Sequence, residues 1–105
     1  MRLDIYLNYP GHCEEAFRFY ERRLNGKVTS IKRHEDVPNP EIPAEWKEKV
    51  LHARMEIGST VVMAADIPNA QPMRSAYLTL MLDEEAEAER IYALLAEGGE
   101  IFMPL

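Results

Sequence analysis

Leu3, Ile5 and Leu7 alternate with Asp4, Tyr6 and Asn8, the period-two pattern of a strand with one apolar and one polar face. Pro10-Gly11 turns the chain, and a helical segment follows from Cys13 to about Asn25. Its Cys13, Ala16, Phe17, Tyr20 and Leu24 recur at helical spacing and form one apolar stripe. Glu14 and Glu15 open this helix and Arg22 and Arg23 close it, in the order that complements the helix dipole. Lys27 to Arg33 reads as a second strand, Val50 to Ile57 as a third and Thr60 to Ala65 as a fourth. Gly58-Ser59 joins the last two in a hairpin. Between strands two and three lies a long loop with three prolines (Pro38, Pro40, Pro43) and one predicted helical turn around Trp46. Loops of this length in compact domains are commonly functional. Two roles stay open for Trp46 and its loop: closing over a site, or packing at a subunit interface.

The opening pattern returns about 72 residues later. Tyr77, Thr79 and Met81 alternate with Leu78, Leu80 and Leu82, and a helix is predicted over 84–97, with a last strand from Glu100. A β-α-β unit used twice implies a duplicated module whose copies share a core and a cleft. The first module spans 1–67 and reads β-α-β-β-β; the second, 76–105, ends after β-α-β. The expectation is one α+β domain over 1–105 with both helices on one side of the sheet. Its second module is unfinished at Leu105, so an open edge is expected to pair with further residues or with another chain as a homodimer.

With 105 residues, neither half buries enough apolar surface to stand comfortably alone. The net charge of −6 disfavours nucleic acid and anionic membrane surfaces as partners. Cys13 is the single cysteine, so no internal disulfide forms and no cysteine-rich zinc site exists. No signal-like or spanning apolar run occurs, and a cytoplasmic location is expected.

Several segments together resemble the PhnB-like branch of the glyoxalase/bleomycin-resistance/dioxygenase (vicinal oxygen chelate) superfamily. They are Tyr6-Leu7, Gly11 to Tyr20, His52 to Gly58, Val62-Met63 with Asp66, Glu87 to Ile91, Leu95 to Gly99 and Met103-Pro104-Leu105. The resemblance implies paired βαβββ modules cupped around a cavity, and about 30 further residues beyond Leu105, as the half-module pattern also does. In enzymatic members the cavity holds a divalent metal on the first and last strands of each module. Carried over, those positions fall on Asp4, Tyr77 and Asp66, with a fourth beyond Leu105. A phenol is a poor ligand for such an ion, so the ligand pattern does not support a divalent metal, with His52 and Asp66 the remaining candidates. Some members carry a ubiquinone-methyltransferase label; the absence of a glycine-rich strand–helix turn for S-adenosylmethionine argues against that activity here.

The candidate cavity residues are Asp4, Tyr6 and Asn8 on the first strand, His52 and Glu56 on the third, and Tyr77 and Thr79 in the second module. His52 reads either as a ligand, base or substrate donor, or as one member of a solvated polar strand face; the second reading is favoured. Cys13 reads as a nucleophile at a helix start or as a packed core thiol; packing is favoured. The leading function is binding of a small organic molecule, with catalysis left open. The rivals are a metal-dependent lyase, isomerase or dioxygenase, and a dimeric interaction module without a ligand.

Overall fold

A computed structural model describes residues 1–105. The chain forms two compact units, residues 1–72 and 73–105. The first contains β1 (Ile5–Tyr9), α1 (Cys13–Arg23), β2 (Lys27–Arg33), β3 (Val50–Ile57) and β4 (Thr60–Asp66). The second contains α2 (Glu85–Ala96).

The four strands form one sheet in the order β1-β4-β3-β2. β1 lies parallel to β4, and β4 and β2 lie antiparallel to β3. The parallel pair requires a crossover, which α1 begins. Its Cys13 and Phe17 are fully buried on one face of the sheet against Val50, Ala53, Met55, Val62 and Ala64. Ile5, Leu7, Tyr9, Val28, Ile31 and Ile57 extend that layer. The alternation of β1 thus holds, with one adjustment: Leu3 precedes the strand and is exposed, and Tyr9 takes the third inward place.

β3 contains an irregularity that its alternation does not announce. Lys32 pairs with His52, but Arg33 pairs with Val50, so Leu51 is an extra residue in the ladder. Such a bulge resets the side-chain phase. It carries Val50 into the core, while His52 keeps the face opposite Ala53.

The long loop is tied at its base. Backbone N–H groups of His34 and Glu35 donate to Lys49 and Lys47 carbonyls, both at 3.0 Å. Short 3-10 turns occupy His34–Asp36 and Ala44–Trp46, the latter where a helical turn is expected. Trp46 meets the His34 ring edge-on at 6.3 Å between centroids.

In the second unit the predicted helix forms and the predicted strands do not. Residues 77–82, and those from Glu100 onward, have no regular structure. Alternation supplies strand propensity, but a strand exists only with a ladder partner, and no pairing involves these residues. Tyr77 stacks on Phe102 instead, with ring centroids 5.7 Å apart.

Candidate functional site

The sheet of the first unit has two faces with different chemistry. Register pairs Tyr6 with Met63, Met63 with Arg54 and Arg54 with Ser30. Asn8 pairs with Ala65, and His52 with Lys32. Paired residues project from the same face, so these side chains share the face opposite α1. On it the Tyr6 hydroxyl and His52 Nδ1 lie 3.4 Å apart, with ring centroids 5.8 Å apart. The phenol donates to Nδ1 when the imidazole carries its proton on Nε2. Arg54 donates to the Glu56 carboxylate at 2.8 Å and to Thr29 Oγ1 at 3.1 Å. That guanidinium holds the Glu56 carboxyl below its usual range, with Lys27 adding to the effect.

Of the candidate cavity residues, Tyr6, Asn8, His52 and Glu56 therefore share one face. Tyr6 is half exposed and His52 half-buried. Asp4 lies before β1 and is paired with Arg2 at 2.9 Å. Tyr77 and Thr79 belong to the second unit, in the irregular stretch.

Asp66 has a different place. It is 1% exposed and projects from the α1 face, opposite His52. One carboxylate oxygen accepts the Gly11 and Cys13 N–H groups at 3.0 and 2.9 Å; the other accepts the Val50 N–H at 2.9 Å. His12, the residue preceding α1, makes no side-chain cap. The helix start is thus capped from β4, where a carboxylate also complements the helix dipole. The Asp66 carbonyl in turn lies 3.1 Å from His34 Nε2. A carbonyl can only accept, so His34 carries its proton on Nε2.

This arrangement bears on the metal candidates. Both Asp66 oxygens are committed to buried amides, and His52 stands on the other side of the sheet. The two cannot hold one ion together, and no group of three His, Cys, Asp or Glu side chains that could hold a metal ion is present. Asp66 and His52 therefore do not fit, as a pair, the divalent site that the resemblance implies. Cys13 is buried beside Asp66; burial first, then the Asp66 and Glu14 charges, push its thiol up to about 12. It is a core residue, because a reactive cysteine needs a stabilised thiolate.

Two hollows lie elsewhere, at the long loop. One, of about 660 Å³, is bordered by carboxylates including Glu14, Glu35, Glu45 and Glu48. The other, of about 720 Å³, is lined by loop residues from His34 to Lys47. Sequence reasoning missed the first hollow because its walls come from the start of α1, the end of β2 and the loop. The one available signal was the density of glutamates in those separate segments.

Comparison with known proteins agrees with this fold. The profile of the Glyoxalase/Bleomycin resistance protein/Dioxygenase superfamily matches residues 2–105, and the chain belongs to that superfamily. Its relatives place it near the PhnB-like members. Protein PA1353 from Pseudomonas aeruginosa superposes with a TM-score of 0.86 at 39% identity, over 100% of this chain and 79% of that one. A PhnB protein from Bacillus cereus, bearing a 3-demethylubiquinone-9 3-methyltransferase designation, superposes with a TM-score of 0.81 at 25% identity, over 100% and 81%. Protein YjdN of Escherichia coli K12 is 27% identical over 98% of this chain and 78% of its own length. No helix is long and apolar enough to cross a membrane.

Proposed function

We propose that the protein binds a small organic molecule on the sheet face opposite α1. The observation that carries this reading is the Tyr6–His52 hydrogen-bonding pair. Two side chains from strands 46 residues apart in sequence meet there, with the phenol half exposed and free to turn toward a ligand. Asn8 adds an amide on the same face, and Met63 an apolar contact. A few polar groups over an apolar floor is the usual composition of a small-molecule site. The family resemblance supports the reading, since it implies strands cupped around a cavity.

We also propose that the protein acts as a homodimer in the cytoplasm. The sheet order leaves β1 and β2 as edges, and unprotected edges invite pairing with a second chain.

The test is a ligand-observed NMR screen of a small fragment library against the protein, repeated with Tyr6→Phe and His52→Ala. Hits that lose binding in both variants, with circular dichroism unchanged, support the reading. Hits that bind both variants as they bind the parent place the site elsewhere and refute it.

A further inference from the structure

We infer that the ligand of this face is a small organic anion, its charge met by Lys32 and His52 and its apolar part resting against Met63. This rests on the reading that the face binds a small molecule, and adds the ligand's charge class.

The inference starts from how charge is divided between the two faces. The whole chain carries −6, a field that repels anions. The sheet face opposite α1 runs against that balance. Register places Lys27, Lys32 and Arg54 on it, with Glu56 the one carboxylate among its strand residues. Glu56 is neutralised locally: Arg54 bonds it at 2.8 Å and Lys27 faces it across the ladder. Lys32 pairs with His52 and has no carboxylate opposite it. It is exposed, so its ammonium reaches solvent at low cost.

Within the first unit, five glutamates gather instead around the hollow at the long loop. Glu14, Glu15, Glu35, Glu45 and Glu48 all border the 660 Å³ hollow, against Arg33 and Lys49. Arg33 there is bound to Glu14 at 3.0 Å. An anion approaching the first unit therefore meets repulsion at that hollow and attraction at the sheet face.

The donors on this face also suit an anion. Lys32 offers an ammonium, Asn8 an amide N–H, and the Tyr6–His52 pair one outward proton in either imidazole tautomer. With Nδ1 accepting from the phenol, Nε2–H is left to donate. With Nδ1–H donating instead, the phenol O–H is released. An incoming carboxylate or phosphate-type oxygen finds a donor in both states. Met63, between Tyr6 and Arg54 in the register, gives the apolar contact that separates an organic anion from an inorganic one.

The experiment uses three probes of one shape and different charge: benzoate, benzamide and benzylammonium. Each is titrated into the protein at low salt while backbone amide shifts are followed, and the series is repeated with Lys32→Glu and with Lys47→Glu in the distant loop. Benzoate is expected to bind about threefold or more tighter than benzamide, the scale of one exposed charge contact. Lys32→Glu is expected to remove that advantage and leave benzamide unchanged, whereas Lys47→Glu leaves both unchanged. Benzamide binding as tightly as benzoate overturns the anion inference and leaves small-molecule binding standing. Tightest binding by benzylammonium, or equal loss in Lys47→Glu, overturns it as well. No binding by any probe counts against the anion class and the small-molecule reading together.

Discussion

Asp66 at the end of β4 accepts the Cys13 N–H at the start of α1, at 2.9 Å, across 53 residues of sequence. The same carboxylate accepts the Gly11 and Val50 N–H groups, so one buried side chain joins the first turn, the helix and the re-entry of the long loop into β3. Its role is to fasten these segments.

Asp66→Ala leaves the buried Cys13 and Val50 amide donors, and the part-buried Gly11 donor, without their partner. Each buried donor costs about 1–3 kcal/mol, so a loss of at least about 2 kcal/mol is expected. Asp66→Asn is expected to lose less, because one oxygen still accepts while the amide opposes a donor. Urea unfolding followed by tryptophan fluorescence measures both. Parent-like midpoints in Asp66→Ala would refute the fastening role.

Cys13 is expected to resist alkylation by iodoacetamide at pH 8 in the native state and to react fully in denaturant. Burial raises its thiol from 9.0 to about 12. Because the folded value exceeds the unfolded one, its contribution to stability is complete below pH 9.0 and fades as the pH rises toward 12. Rapid labelling of the native protein at pH 8 would contradict this packing.

Glu14 titrates in the opposite sense. Its hydrogen bonds from Arg33 hold its carboxyl below the usual 4.5, so the stabilisation exists above that pH and is lost as the pH falls through the lowered folded value. The pair is partly exposed, and less than about 1 kcal/mol is expected from it. Glu14→Gln should therefore be slightly less stable than the parent at pH 7, with the gap closing as the pH falls through the lowered folded value. A gap that is constant with pH would exclude this origin.

Metal content gives a fourth test. Asp66 is spoken for by three amides and His52 faces the other way, so the dialysed protein is expected to hold less than stoichiometric zinc, nickel or iron. Elemental analysis decides it. One equivalent per chain, lost in His52→Ala, would restore the metal-dependent reading.

Light scattering at micromolar concentration is expected to report a dimer, in keeping with β1 and β2 standing at the two ends of the sheet order. A monomer at that concentration would refute the proposed assembly.

What could be read from sequence was whatever depends on local period. The alternation of β1, the Cys13–Phe17–Tyr20 stripe and the Gly58-Ser59 turn located the first unit's elements to within about two residues, since burying one face selects such patterns directly. The composition of the His52 face was legible for the same reason. Long-range pairing decided the rest. Alternation at Tyr77 to Leu82 looked like that of β1, yet only β1 obtains a ladder, beside β4. The phase reset at Leu51 depends on β2, and leaves no mark in the β3 sequence itself. Asp66 was legible as a carboxylate at a strand end, a position to which the family resemblance assigns a metal ligand. Its assignment to Gly11, Cys13 and Val50 required three segments to meet, because a side chain's partners are set by neighbours in space rather than along the chain.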